Sequence, residues 1–72
     1  MPPTETIEIT LNGQKLTIPA GLNIRQMLLA LSLQPDRVAV ELNRQVIPRR
    51  DWDATQVPSG AVIEVVQFVG GG

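Results

Sequence analysis

The 72-residue chain contains no cysteine and no histidine. Thiol nucleophiles, disulfides, imidazole bases and the usual zinc ligand sets are therefore excluded from its chemistry. Carboxylates come next, because glycosidase-type and proton-transfer reactions need two at close range. Asp51 and Asp53 stand two residues apart, flanked by Arg49 and Arg50. That pattern reads as a solvated turn with local ion pairing, and it offers too few oxygen ligands for a divalent cation. Glu8 and Glu41 alternate with apolar neighbours and read as solubilising charge on the solvent faces of strands. Arg44, Arg49 and Arg50 make one basic neighbourhood, with only Trp52 for base stacking. This is weak for nucleic acid and suitable for steering a protein partner, and it is most simply an ordinary solvated loop.

The unusual feature is Gly70-Gly71-Gly72. Glycine is costly to order and depleted in strands, yet these three follow directly on the apolar run Ala61 to Val69. No helix follows and no lysine is near, so the cluster is not a phosphate-binding loop. A frayed tail is the plain reading. A functional reading also has a physical basis. Without Cβ atoms such a tail can thread a narrow channel in another protein, and the Gly72 carboxylate is free of side-chain hindrance. A carboxylate must first be activated, for example as an acyl-adenylate, before it takes a nucleophile.

Composition narrows the class further. The chain is 43% hydrophobic and 18% charged, with six Lys and Arg against seven Asp and Glu, for a formal charge of -1. A nucleic-acid binder needs a clustered positive surface, which this balance does not suggest. No apolar run is long enough to span a membrane. Met1-Pro2-Pro3-Thr4-Glu5 has neither the basic nor the apolar region of a secretory signal, so the expected compartment is the cytoplasm. One small domain is expected, whose ordering costs on the order of 100 kcal/mol of conformational entropy. A deep pocket would hollow out its only core. These constraints favour a binding or carrier module over an enzyme.

The elements that must position these residues are legible from periodicity. Ile7 to Leu11 alternates as a half-buried strand. Asn12-Gly13 predicts a hairpin turn, and Lys15 to Ile18 is the return strand. Asn23 reads as a helix N-cap with Gln26 completing a capping box. A helix of about three turns is predicted from Ile24 to Leu31, with Ile24, Leu28 and Leu31 as its buried stripe, Met27 widening it, and Pro35 as its limit. Val38 to Leu42 is a strand, Asn43-Arg44-Gln45 a tight connection, and Val46-Ile47 a short return strand stopped by Pro48. Arg49 to Asp53 is irregular or one helical turn, with Asp51 as a possible cap. Gly60 needs positive φ in the turn entering the last strand.

That last strand, Ala61 to Val69, is apolar on both faces. One helix cannot cover two faces of a sheet, so one face is expected to be a docking surface. If Ile63 and Val65 point to the helix, Val66 and Phe68 are exposed for partner docking. The expected core is Ile9, Leu11, Ile18, Leu28, Val40, Ile63 and Val65. The order β-β-α-β-β-turn-β suits an α+β, β-grasp (ubiquitin-like) arrangement, with a mixed sheet around one helix and the final strand beside the first. Periodicity does not force that placement, and a three-strand α+β domain with two loose ends competes with it.

Several stretches taken together carry a family resemblance. They are Asn12-Gly13, Leu22-Asn23-Ile24, Val40-Glu41-Leu42-Asn43, Val46-Ile47-Pro48-Arg49, Trp52, Ser59-Gly60 and Val66-Gln67-Phe68-Val69-Gly70-Gly71-Gly72. In order and spacing, the chain from Ile7 onward resembles the ThiS family, the ubiquitin-like sulfur carriers of thiamin (thiazole) biosynthesis. Ala61 stands where relatives often carry Asp, and Gly70 adds a third glycine, but neither touches the terminal Gly71-Gly72. The resemblance implies a flexible extension over residues 1–6, a β-grasp domain over 7–69 and a flexible glycine tail over 70–72.

The resemblance also implies a carrier cycle with no bound cofactor and no catalytic residue. An E1-like adenylyltransferase (ThiF-like) would consume ATP to adenylate the Gly72 carboxylate. A sulfur-donating desulfurase system would convert it to a C-terminal thiocarboxylate, presented by Gly70 and Gly71. A thiazole synthase (ThiG-like) would then receive the sulfur. Neither nucleic acid nor membrane is an expected partner. The small subunit of molybdopterin synthase, which shares the fold and the Gly-Gly end, is the alternative carrier. A β-grasp binding module without carrier chemistry is the alternative of a different kind, and a small enzyme is the remote one.

Overall fold

The chain begins with a hairpin whose turn is set by two residues in the left-handed region. In the computed structural model, which describes residues 5–68, β1 (Thr6–Leu11) and β2 (Gln14–Pro19) pair antiparallel with Ile9 opposite Leu16. Asn12 and Gly13 have φ of 50° and 82°, the two-residue turn that matches the twist of the flanking strands. β1 opens at Thr6, one residue ahead of the expected boundary. Glu5 is already engaged there, its carbonyl accepting from the Ala20 N–H at 2.9 Å. Residues 1–4 and 69–72, and with them most of the expected N-terminal extension and the glycine tail, lie outside the described residues.

Helix α1 (Ile24–Ala30) starts as its sequence dictates. The Asn23 side chain accepts from the Gln26 N–H at 2.8 Å, and the Gln26 side chain accepts from the Asn23 N–H at 2.9 Å. The helix spans seven residues, about two turns rather than the three expected. Its end is not set by Pro35. Ser32 adopts φ 61°, the Leu33 N–H donates to the Leu28 carbonyl at 2.8 Å, and the Ser32 N–H donates to Leu29 at 3.1 Å. These bonds form a Schellman closure with serine in the place glycine usually takes, which explains why the stop was not read from composition. Ile24, Met27 and Leu28 are buried as expected, while Leu31, expected in the stripe, is only half-buried at the C-cap.

A short 3-10 turn, Pro35–Arg37, leads into β3 (Val38–Leu42). The turn to β4 (Gln45–Ile47) is only Asn43-Arg44, with φ of 49° and 69°, and Gln45 pairs with Leu42 instead of belonging to the connection. The polar segment that follows is a 3-10 helix, Arg49–Ala54, which buries Trp52 to 1% exposure. The Trp52 indole N–H donates to the Ile47 carbonyl at 2.9 Å, satisfying its polar atom in the interior. Asp51 does not cap this helix. Pro48 occupies the cap position, and no side chain caps it.

The final strand, β5 (Val62–Gln67), is shorter than the expected Ala61 to Val69. Ala61 lies in the turn, its N–H bonded to the Pro58 carbonyl at 3.2 Å. Gly60 has φ 81°, as the turn requires. β5 pairs parallel with β1 and antiparallel with β3, giving the five-stranded order β2-β1-β5-β3-β4. This is the β-grasp arrangement, and the three-strand alternative is set aside. Ile9, Ile18, Ile24, Met27, Leu28, Val40, Trp52 and Ile63 form the centre of the core. Leu11, expected there, is half-buried because it ends β1 at the hairpin.

Candidate functional site

With α1 and the 3-10 helix both on one side, the other side of the sheet has no cover among the described residues. Strand parity decides what it displays. Ile63 and Val65 point into the core, so Val62, Glu64 and Val66 project outward, with Phe68 following the strand. The exposures of Val66 and Phe68 are 60% and 58%, matching the sequence expectation for both. Two further large apolar side chains join them, Val46 at 68% and Val62. Register brings Val46 opposite Glu41 and Ala39 opposite Val66. The sequence pointed to the β5 contribution, but β4 has only three residues and carries too short a pattern to assign Val46 a face.

Charges punctuate this surface. Glu41 and Glu64 are directly opposed in the β3–β5 register. Both border a shallow depression of about 160 Å³ framed by Ala39, Val46 and Val66. Both also border a wider, open hollow of about 490 Å³ between the two turns, with Thr10, Asn12, Arg44 and Val62. The described ion pairs are elsewhere, Arg25–Asp53 at 2.7 Å and Arg49–Asp36 at 3.8 Å. The arginines read as one neighbourhood are thereby divided. Arg44 stands at the β3–β4 turn, whereas Arg49 and Arg25 each lie 5.5 Å from the Trp52 ring. Asp53 pairs with Arg25 of α1, not with its sequence neighbours.

Two turn asparagines fix β5 in place. The Asn12 side chain accepts from the Val65 N–H at 2.8 Å and donates to the Val65 carbonyl at 3.2 Å. It supplies a ladder rung where β1 has already ended. Asn43 does the same on the other edge, its side chain accepting from the Val62 N–H at 2.8 Å and its own N–H donating to the Val62 carbonyl at 2.7 Å. Past Val65, β3 continues the pairing, and the Phe68 N–H donates to the Arg37 carbonyl at 2.7 Å. β5 is therefore hydrogen-bonded on both sides as far as Val65, and on the β3 side the bonding runs to Phe68. Gly70, Gly71 and Gly72, the predicted reacting end, lie outside the described residues.

No charged side chain is buried among the described residues, and no group of three or more carboxylates is gathered there. No described helix is long and apolar enough to cross a membrane. What the described residues offer is an exposed apolar surface suited to protein contact.

Comparison with known proteins locates this arrangement. The model of the ThiS family matches residues 3–72. A thiazole synthase of Magnetococcus marinus is 38% identical over 66 residues, 92% of this chain and 20% of that protein. The chain spans about a fifth of the length of the first curated relatives it matches, both thiazole synthases. The sulfur carrier protein ThiS of Escherichia coli is 29% identical over 92% of this chain and its own full length. The crystal structure of a thiamine biosynthesis protein (ThiS) from Geobacter metallireducens superposes with a TM-score of 0.78 at 40% identity, covering 92% of this chain and all of that one.

Proposed function

The chain belongs to the ThiS family, and on that premise we propose that it is a sulfur carrier of thiamin biosynthesis that acts through the carboxylate of Gly72. The observation that carries this reading is the family match reaching residue 72, together with a β-grasp body like that of the Geobacter ThiS. The protein is a substrate of enzymes and not itself an enzyme. Its carboxylate oxygen attacks the α-phosphorus of ATP on an E1-like, ThiF-like adenylyltransferase, and pyrophosphate leaves. The resulting acyl-adenylate is attacked at carbon by sulfur from a desulfurase-derived persulfide, and AMP departs as the C–S bond forms. Reduction of the disulfide so formed by a thiol releases the terminal thiocarboxylate. Its sulfur is a better nucleophile than oxygen, and it passes to a thiazole synthase.

The relatives support that last partner. Two thiazole synthases about five times longer contain a stretch similar to this chain, which favours the thiazole reading over a molybdopterin one. Val66 and Phe68 are the proposed docking residues, and Gly70 and Gly71 the arm that presents Gly72. The cycle consumes ATP, and the cytoplasm is its proposed compartment. The test is intact mass after incubation with the adenylyltransferase, ATP and a sulfur source. The full chain gains the difference between sulfur and oxygen, and a chain lacking Gly72 gains nothing. Full modification of the shortened chain would reject the role assigned to Gly72.

A further inference from the structure

The last backbone rung that β1 gives to β5 is the Asn12 N–H donating to the Ile63 carbonyl at 2.8 Å. Two residues on, Val65 is buried, and both its backbone groups on that side are completed by one side chain. The Asn12 carboxamide accepts from the Val65 N–H at 2.8 Å and donates to the Val65 carbonyl at 3.2 Å. Buried backbone groups that lose such a partner destabilise the strand. Yet this carboxamide belongs to the asparagine whose chemistry is least protected by its neighbour. Of Asn12, Asn23 and Asn43, the latter two precede Ile24 and Arg44, whose side chains hinder the following backbone nitrogen, whereas Asn12 precedes Gly13. Asn12 is exposed at the hairpin tip, and nothing lies within 4 Å of where a Gly13 side chain would begin. We propose that Asn12 is a covalent modification site, deamidated through a cyclic imide with Gly13, and that the seating of β5 on its carboxamide is the gate.

Asparagine is a thermolabile residue because its own backbone can attack it. The Gly13 nitrogen gives up its proton to base and bonds to Cγ of Asn12. The Cγ–Nδ2 bond breaks, and the nitrogen leaves as ammonia. Water then adds to one of the two imide carbonyls and opens the ring, leaving aspartate or isoaspartate at position 12. The sum exchanges water for ammonia, with no oxidation or reduction. In the seated state the reaction is held back. Both ends of the carboxamide are bonded to Val65, and the backbone flanking the turn is held by the Leu11–Gln14 pair. Turning the carboxamide onto Gly13 while β5 stays in place would strand two buried backbone groups, so the reactive geometry is reached by local opening at Val65. The product then prevents the same closure. A carboxylate has no N–H for the Val65 carbonyl and sets an oxygen against it. Isoaspartate also routes the main chain through the former side chain and lengthens the two-residue turn. A reversible opening of the central strand thereby becomes a permanent weakening. This chemistry needs no partner protein and is independent of the carrier reading.

The test incubates the full chain in mildly alkaline buffer, folded and in denaturing urea, and follows it by tryptic peptide mass. Cleavage after Lys15, Arg25, Arg37 and Arg44 places the three asparagines in separate peptides. Isoaspartyl methyltransferase labelling identifies the isoaspartate product. In urea the Asn12 peptide should convert first, while those of Asn23 and Asn43 remain largely unchanged. In the folded chain Asn12 should convert at least about tenfold more slowly, because only the open fraction reacts. Through sub-denaturing urea, its rate should rise in parallel with hydrogen exchange at the Val65 N–H. Asn12→Asp, which keeps a residue suited to the turn but removes the donor, should melt lower than wild type. Conversion in the folded chain at the denatured rate would overturn the gate, and so would conversion that rises without Val65 exchange. An Asn12 that stays intact in urea would overturn the site itself. Asn12→Asp melting at or above wild type would overturn the permanent weakening.

Discussion

Ile63 and Phe68 lie on one short stretch of chain, and their odd separation turns them to opposite sides of the sheet. Ile63 is enclosed by the core, whereas Phe68 meets solvent. Their truncations should therefore separate folding from binding. Ile63→Ala removes buried methyl groups and leaves a cavity, at a cost of about 2–5 kcal/mol by the general scale for such changes. Phe68→Ala should leave the denaturation midpoint nearly unchanged and weaken affinity for the adenylyltransferase, since aromatic side chains anchor interfaces. Urea denaturation and calorimetry read the two effects. A collapsed melting transition with unchanged affinity in Phe68→Ala would move that residue into the core. The alternation that assigns these faces was present in the sequence, because β5 is long enough to show a period of two. Trp52 was not legible in the same way. Its neighbours Arg49, Arg50, Asp51 and Asp53 mark the segment as solvated, and only the tight coil of a 3-10 helix turns the indole inward beneath them.

Elements are specified at their ends, and the ends of α1 differ in how openly they are written. The N-terminus uses Asn and Gln, whose side chains complete the capping box, and so it was readable. The C-terminus uses Ser32 in the left-handed region, where residues with a Cβ incur a steric cost of about 1–2 kcal/mol. Composition gave no sign of it, and the expected helix ran too long. The asymmetry yields paired expectations. Asn23→Ala should destabilise by about 1 kcal/mol, through the lost cap. Ser32→Gly should stabilise by about 0.5–1 kcal/mol, because glycine adopts this backbone without the steric cost. Thermal unfolding with both variants, singly and combined, checks the signs. Destabilisation by Ser32→Gly would show that the serine side chain contributes more than its backbone conformation costs. The two hairpins follow the same logic. Asn12-Gly13 announces a turn by composition. Asn43-Arg44 adopts nearly the same left-handed pair with an arginine in the second place, so its two-residue length was hidden.

At the scale of the molecule, the body and the reacting group are separate problems. Among the described residues, helix α1, the 3-10 helix that buries Trp52 and five strands make a platform, and Asn12 and Asn43 hold β5 at Val65 and Val62. Pairing β5 between β1 and β3 is the step local periodicity could not dictate, since it depends on which long-range contacts exclude the most water from the core. Once made, it leaves an outer face that exposes Val46, Val62 and Val66, with Phe68 following the strand. The core described for this platform is drawn from residues 7–65, and Gly70, Gly71 and Gly72 carry no side chain that could add to it. Changes at the tail should therefore affect chemistry alone. Replacing Gly71 with leucine, or appending one residue after Gly72, should abolish thiocarboxylate formation while the melting temperature stays that of wild type. The added side chain obstructs entry to a confined site, and the added residue moves the reacting carbon by about 3.8 Å, where errors of about 1 Å already cost on the order of a hundredfold. Deleting residues 1–4 should alter neither quantity. Intact mass and thermal melting on the same samples decide the matter. Normal sulfur loading of the extended chain would show that the enzyme tolerates a displaced terminus, and the confinement argument for the glycines would have to be abandoned.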